Sequence, residues 1–522
     1  MFQDFRQRED GATIETDICV VGGGAAGITL ALELAGSQRG VCLVESGGLE
    51  PDPDTLALNN GEIVGLPYPP LQVVRLRYFG GTTNHWGGHC RPLDPIDFTK
   101  RPWIPHSGWP IDREELEPFY RRAQLICELG PYEYHTDAWR AGLPGVFDFA
   151  PQRLQSRPWL VSTPTRFGER YRDDLGRASN VEVLLNANVT EIVASDDARR
   201  VVAVRLKTLG GKTGIVRAKV VVLAGGGIEN PRLLLASNRV MTAGLGNGRD
   251  LVGRFFLEHP SAMIGFAVAS EDIQRWIGYF RYVPVTIPAG KGGVRLSPML
   301  SEALQHEKQL LNCAITLGSG YDRSAGYLAL RDAGKRLGRG ELSGELGDSV
   351  LAVLGDLDGA AEGVYRRITG EQVLWFCTNV EQAPNPDSRV TLSNERDALG
   401  SPQARLDWRL TSLEKRTTRF ACRLLGEELA RLGIARMRID PWLLADDTSW
   451  PDIDIRYHQM GTTRMSSDAA QGVVDANCRV HGIENLYVAG SSVFPTGGCA
   501  NPTLTIVALA VRLADHLKQD HA

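Results

Sequence analysis

An apolar run at residues 18–21 ends in Gly22-Gly23-Gly24-Ala25-Ala26-Gly27, and the good helix formers of ITLALELA follow at once. No other stretch restricts the fold as strongly. The run reads as a buried parallel strand, and GxGxxG between such a strand and a helix is the turn of a dinucleotide-binding βαβ unit. Gly22 permits the tight turn, Gly24 lets the backbone approach a pyrophosphate, and Gly27 lets helix and strand pack closely. Unpaired N–H groups at the helix start then face the negative charge. A second apolar strand, Val41–Val44, delivers Glu45 at roughly the 20-residue interval where an acid binds ribose hydroxyls and disfavours the extra phosphate of NADP. The following SGGLEPDPD is a loop. Strand, fingerprint, helix, strand and acid in register outweigh a chance glycine turn, although this unit alone leaves the choice of dinucleotide open.

At 522 residues the chain exceeds what one hydrophobic core usually serves. Its 43% hydrophobic and 23% charged residues are those of a globular protein, which excludes disorder, coiled coil and a small disulfide scaffold. The net charge is −5 and no Lys/Arg stripe stands clear of acids, so nucleic acid is not an expected partner. None of the nine cysteines forms a CxxC pair, and iron–sulfur, structural zinc and c-type haem signatures are missing. No metal site is expected. Widely spaced thiols fit a reducing compartment. The polar N-terminus and the lack of a run of about 18 apolar residues predict no signal peptide, no membrane span and a cytoplasmic location. Asn188-Val189-Thr190 matches a glycosylation acceptor but sits inside a strand-like stretch, and is read as chance.

Residues 78–88, YFGGTTNHWGG, are too rich in glycine for a core strand or a stable helix. Such a loop brings backbone against a planar group, with Gly81, Thr82, Asn84, His85, Trp86 and Gly87 along its edge. His85 can hydrogen-bond to a ligand, become attached to one, or be a satisfied structural histidine. Further on, Asp112 fits an N-cap with Glu115 at N3 of a capping box. Apolar bursts over 181–206 read as consecutive strands of a small sheet. Ala218-Lys219 is transitional, Val220 opens a buried strand that ends in three glycines, and a helix starts near Ile228. This second strand–glycine–helix unit lacks a full GxGxxG and returns the chain to the nucleotide domain, making that domain discontinuous. Residues 264–268 and Val373–Val380 read as strands, a helix begins near Tyr327, and 332–346 reads as a mobile or solvated insertion. Trp375, Phe376 and Asn379 are candidates for a substrate wall, with packing an equal alternative.

Near the C-terminus, His458 lies in a glycine-punctuated stretch after a strand, and residues 483–490 read as strand and turn ending at Gly490. Asn501 fits an N-cap and Pro502 the first helical position, where its missing N–H costs nothing. Thr503 follows, and Leu504, Val507, Ala508, Val511 and Ala514 recur at helical spacing. Taken alone, a turn cap for Asn501 and a buried hydrogen-bonded ring for His458 are as good as catalytic roles. The boundaries drawn are 1–130, the first part of the nucleotide domain; 131–180, a connection or lid; 181–260, its second part; 261–450, a substrate domain; and 451–522, its last part.

VVGGGAAG with Glu45, the loop GGTTNHWGG, and the closing HQMGTTRM…CRVHGIENLYVAGSSVFPTGGCANPTLTIVALA together resemble the glucose–methanol–choline (GMC) flavin oxidoreductases. The ANPTLT ending and the His-Trp pair are most similar to the pyranose oxidase branch, as is GRFFLEHP at 253–260. PNPDSRVTLS at 384–393 is similar to a family connection into the substrate sheet. Residues 130–180 and 265–370 carry little of the likeness. The resemblance implies an α/β fold: a Rossmann-like FAD domain, discontinuous in sequence, with a second α+β substrate domain on a largely antiparallel sheet. It implies FAD, held by Gly22, Gly24, Gly27 and Glu45, with Val189 near the adenine. It places the catalytic His/Asn pair on His458 and Asn501. Gly490, Pro502, Thr503 and the 81–87 loop surround the flavin, and His85 matches the histidine that can be joined covalently to it.

The implied reaction is oxidation of a secondary alcohol of a sugar or glycoside to a ketone. An imidazole with a pKa near neutrality suits the removal of a hydroxyl proton, and a helix N-terminus suits charge developing on a flavin. Oxygen, a quinone or a separate electron-transfer partner are the acceptors open at this point, and the oligomeric state is open too. Non-sugar alcohols and sterols, a flavin monooxygenase and a flavin-containing lyase are the alternatives.

Overall fold

The computed structural model describes the whole chain except residues 144–145, 164, 270–278, 281–282, 288–289, 321–323, 339–344, 371–372, 451–452 and 520–522. Its first layer is an eight-stranded sheet built around the fingerprint strand, which is longer than expected and spans Ala12–Val21. That strand lies parallel to Val41–Val44 on one side and to Thr213–Leu223 on the other. Val181–Leu185 and Phe2–Asp4 extend the parallel set beyond Val41–Val44. Thr213–Leu223 has two neighbours on its far side: its first half pairs antiparallel with Val201–Lys207, and its last residues pair parallel with Leu486–Val488. Parallel strands covered on both faces are apolar throughout, which is why 41–44 and 220–223 read so clearly from the sequence.

Three expectations need correction here. Residues 181–206 do not make a small sheet of their own: Val181–Leu185 is an inner strand of the nucleotide sheet, and Asn188–Ala194 with Val201–Lys207 forms its antiparallel edge. Ala218 and Lys219 are no transition, because the ladder against the fingerprint strand runs from Gly214 to Leu223. Asp112 does cap the helix Arg113–Ile126, its Oδ1 accepting from Glu115 N at 2.7 Å. The reciprocal half of the box is missing, since the Glu115 carboxylate pairs with Arg512 instead.

The second layer is a nine-stranded antiparallel sheet. Its strands come from further apart in the sequence than the boundaries drawn above. Leu154–Val161, inside the segment read as a connection or lid, is one of its strands and pairs with both Gly290–Leu300 and His89–Cys90. Conversely, Arg389–Arg396 and Pro402–Trp408, assigned to the substrate domain, join Gly61–Gly65 of the first segment in a separate three-stranded sheet. The insertion expected at 332–346 is helical through 338, as the end of Ala325–Gly338, and Glu345–Gly355 and Leu357–Thr369 follow. Residues 339–344 lie outside the described residues.

The closing helix Thr503–Gln519 packs against Ala25–Leu34 and Arg113–Ile126. A buried ion pair ties the layers together: Arg101 and Glu381, both fully buried, meet through two N–H···O contacts, and Asn312 N donates to Glu381 at 3.0 Å. Among the described residues no helix is long and apolar enough to cross a membrane.

Candidate active site

A cavity of about 560 Å³ opens along the ends of the parallel strands, at the point where the two layers face each other. Its floor is the fingerprint turn. Gly22, at φ +112°, would bring a Cβ to 2.8 Å from Ala224 O, and Gly27 would bring one to 1.9 Å from Gly22 O. Both positions therefore admit only glycine. Gly24 differs: a Cβ there would meet nothing within 4 Å, so the protein itself has no need of glycine at that position. Glu45 is buried, and its two carboxylate oxygens accept from Gly23 N at 2.8 Å and Gly47 N at 2.9 Å while it lines the cavity. Burial raises its pKa against the pull of those N–H groups.

The 78–88 loop lies directly on this turn. Gly80 N donates to Gly23 O at 2.8 Å, and Gly81, at φ +52°, has its Cα side against Gly24. Arg166 clamps the loop from outside by donating to Thr83 O and Trp86 O, and Trp86 Nε1 donates to Thr165 O. Gly81, Thr82, His85, Trp86 and Gly87 line the cavity with Val189, Gly490, Pro502 and Thr503. Gly27 and Asn84 do not. Gly27 is spent on helix–strand contact, and Asn84 folds back to donate to Phe79 O at 3.0 Å. Among the described residues the His85 ring has no hydrogen bond, and burial followed by Arg166 lowers its pKa, so it is neutral at pH 7. Two helix starts, at Ala25 and Thr503, open into the same space.

At the far end of the cavity His458 and Asn501, 43 residues apart in sequence, come together with Asn501 Nδ2 3.2 Å from His458 Nε2. Asn501 does not cap the helix; Ile506 N bonds to Pro502 O, so the helix starts one residue later than the sequence suggests. Its amide is used sideways, with Oδ1 accepting from Trp159 Nε1 at 3.2 Å. Because indole nitrogen only donates, that contact fixes the amide with its NH₂ toward the imidazole.

A second histidine, His259, completes the arrangement. Its Nε2 lies 2.8 Å from Gly498 O and its Nδ1 lies 2.8 Å from His458 Nδ1. A carbonyl can only accept, so His259 carries its proton on Nε2, and its Nδ1 must accept from His458 Nδ1–H. Every member of the chain from Trp159 to Gly498 then has one permitted role. The outcome is a His458 whose Nε2 presents a lone pair toward Asn501. Glu258 anchors both rings through the backbone, its Oε1 accepting from His259 N at 2.8 Å and His458 N at 2.7 Å, while Tyr68 OH donates to Oε2. Burial, then His259, Arg456 and His89, hold the His458 pKa well below its usual range. Burial holds His259 at about 4. Both rings are neutral at pH 7.

Sequence reasoning singled out His458 and Asn501 and missed His259, Glu258, Trp159 and Arg456. Leu257-Glu258-His259-Pro260 was visible as part of a family-like segment, yet nothing in its spacing points to residue 458, which it meets only across the fold.

The family model described as FAD dependent oxidoreductase matches residues 17–242, and the one described as GMC oxidoreductase matches residues 384–510. The fructose dehydrogenase large subunit of Gluconobacter japonicus is 24% identical, over 90% of this chain and 83% of its own length. A C-glycoside 3-oxidase of Microbacterium trichothecenolyticum is 28% identical, over 84% of this chain and 75% of its own. Among solved structures, pyridoxine 4-oxidase from Mesorbium loti superposes with a TM-score of 0.58 at 16% identity, over 97% of this chain and 100% of that one.

Proposed function

The chain belongs to the GMC oxidoreductases, FAD-dependent enzymes acting on CH–OH groups, and from that premise we propose that it oxidises a secondary alcohol of a sugar or glycoside to a ketone, with His458 as general base and Asn501 as its partner. The residues fit the cofactor. Gly24 leaves open space where nothing in the protein requires glycine, two helix starts supply N–H groups for negative charge, and Glu45 lines the same cavity with an acid suited to ribose hydroxyls. Gly22, Gly24, Glu45 and Val189 would hold the adenine nucleotide, and Gly81, Thr82, His85, Trp86, Gly87, Gly490, Pro502 and Thr503 the ring system. When bound, FAD supplies the acceptor for the two electrons and the hydrogen that leave the carbinol carbon.

The remaining chemistry belongs to the chain. An alcohol is a poor hydride donor and its alkoxide a good one, so the hydroxyl proton has to leave early. A substrate hydroxyl entering between His458 and Asn501 gives its proton to the Nε2 lone pair, while one Asn501 N–H donates to the same oxygen and stabilises the growing negative charge. His458 Nδ1–H stays on His259 throughout, so the ring does not have to reorient. The single observation that carries this reading is the 3.2 Å contact between Asn501 Nδ2 and His458 Nε2 at the mouth of a glycine-lined nucleotide cavity. Relatives that act on sugars and glycosides support the substrate class.

The test is anaerobic rapid mixing of His458→Ala with a sugar and glycoside panel. The variant keeps its yellow cofactor and loses most of the bleaching; bleaching at the wild-type rate would remove His458 from the role. We also assign His85 as the attachment point of a covalent tether, since a neutral, unbonded imidazole lines the same cavity. Denatured wild-type protein then retains its yellow colour and His85→Ala releases it; release from both would refute the tether.

A further inference from the structure

Away from the fingerprint turn the cavity is lined by His89 and by Asp454 and Ile455 of the nine-stranded sheet, and the sheet face beside His89 follows from register. Directly paired residues on antiparallel strands point to the same side, as do residues two apart on one strand. Trp159 donates to Asn501, so its face is the one turned to the catalytic pair. Trp159 pairs with Arg295, and Val161 pairs with Gly293 and with His89. Arg295 and His89 therefore share that face. Arg456, just past the short strand Asp454–Ile455, donates to Ser261 Oγ at 2.7 Å, and both His89 and Arg456 line the cavity with His458 and Asn501.

The positive charge on this wall is not balanced by the protein. Arg456 lies 3.2 Å from Asp454, a largely exposed acid. The buried acid beside the site, Glu258, is already committed to Tyr68 and to two backbone N–H groups. Among the described residues Arg295 has no ion-pair or hydrogen-bond partner, its buried Nε included, and His89 Nδ1 is unpartnered as well. Three buried guanidinium groups are paired with acids, Arg101 with Glu381, Arg91 with Asp94 and Arg232 with Glu229, whereas Arg464, which like Arg295 has no acid partner among the described residues, donates to His106 O and lies over the Phe255 ring. Burial, with repulsion from Arg456, lowers Arg295 to about 10, which leaves it charged at neutral pH. A desolvated guanidinium without a partner is costly to the fold. Arg295 is not itself among the residues lining the cavity; on the face it shares with His89, its planar fork matches a carboxylate that reaches past His89 and Arg456.

We propose that the alcohol oxidised here is a polyhydroxy carboxylate, a sugar acid whose carboxylate is received by Arg295, flanked by Arg456 and His89, while the hydroxyl to be oxidised lies between His458 and Asn501. This rests on the alcohol-oxidising function proposed above and narrows its substrate. A sugar phosphate would bring an oxyanion to the same groups, and the panel below separates the two.

The experiment compares anaerobic bleaching of the FAD-loaded enzyme by glucuronate and its methyl ester, gluconate and glucitol, and glucose 6-phosphate. Each acid is expected to exceed its neutral partner in kcat/KM by at least about tenfold, as a charge-assisted bidentate contact predicts. In Arg295→Met the acid-to-ester ratio falls toward one, and in Arg295→Lys it is intermediate. Glutarate, which has no hydroxyl, competes with the acids in the wild type, and its Ki rises about tenfold in Arg295→Met by the same contact. An ester as good as its acid in the wild type, or no competition by glutarate, overturns the anion seat and leaves alcohol oxidation standing. A preference for the phosphate overturns the carboxylate assignment. An enzyme that holds FAD and is bleached by no alcohol of any kind overturns both readings.

Discussion

Replacing His259 by leucine removes the acceptor for His458 Nδ1–H without touching Nε2, the nitrogen proposed to meet the alcohol. The ring then has two options. It keeps its proton on Nδ1 and buries an unpaired donor, at a cost of about 1–3 kcal/mol. Otherwise it moves the proton to Nε2, where it no longer accepts from the substrate and forces the Asn501 amide to turn away from Trp159. Either way the productive tautomer loses about 1–3 kcal/mol, which at about 1.4 kcal/mol per decade lowers its share roughly 5- to 150-fold. The assay is single-turnover bleaching across a substrate series. The limiting rate should fall by that factor while the substrate concentration at half-saturation changes little, because His259 touches no substrate. His259→Asn, which restores an acceptor beside Nδ1, should recover much of the rate, whereas a merely space-filling role would favour leucine. Wild-type bleaching in His259→Leu, or no difference between the two variants, would show that the His259–His458 contact of 2.8 Å does not set the proton's position.

The other predictions rest on separate parts of the structure. Gly24→Val should leave the unfolding temperature of the apoprotein unchanged while abolishing FAD retention, because its side chain would occupy open space; Gly27→Ala, whose Cβ would lie 1.9 Å from Gly22 O, should unfold the apoprotein as well. Thermal melts and cofactor-to-protein absorbance ratios distinguish the two. Arg101→Met should cost about 3–5 kcal/mol in denaturant unfolding by stranding the Glu381 carboxylate, and adding Glu381→Leu should recover part of that loss; a double variant no better than the single would refute the account. In the proposed role His458 accepts a proton when neutral, and its pKa is lowered, so the acid limb of the bleaching rate should lie below pH 6.5 with a plateau above it. Arg456→Gln removes one of the causes of that lowering and should move the limb to higher pH. Folding stability should fall slowly between pH 6.5 and 4.5 and steeply below. Of the histidines the fold keeps neutral, the deeply buried His89, His259 and His458 each lose about 1.4 kcal/mol per pH unit there, partly offset by buried acids, Glu258 and Glu414 raised to about 7 and Asp97 raised well above its ordinary value. Below pH 4.5 the two glutamates offset nothing further, and a constant slope through pH 4.5 would contradict it.

The parts of this molecule that were legible in sequence are those whose physics is local. Gly22, Gly24 and Gly27 answer to a turn and a helix start within a few residues, and Val41–Val44 is buried on both faces, so its four apolar residues need no context. The sheet behind the substrate could not be read in the same way. Leu154–Val161 gains its meaning only when paired with Gly290–Leu300 and His89–Cys90, and its half-buried run Gln155, Ser156 and Arg157 blurs the alternation. Ala218 and Lys219 misled for a related reason: two residues at the solvated middle of a long strand look like a break when the neighbouring strand that continues the ladder is unseen.

The same distinction separates Asn501 from its apparent role. A polar residue before Pro502 has the local signature of a cap, yet a cap bonds to its own helix, and this amide instead bonds across to Trp159 and His458. Local rules fail where side chains have been recruited by distant partners, and here all of the recruited groups converge on one imidazole. Gly498 O sets the His259 proton, His259 sets that of His458, and Trp159 sets the orientation of Asn501. The lone pair on His458 Nε2 is therefore determined from both ends by groups that have no alternative hydrogen-bonding role. In the proposed mechanism a base held this way accepts a proton without tautomer exchange or ring rotation, which is the condition under which an imidazole of lowered basicity would deprotonate an alcohol held against it by Asn501.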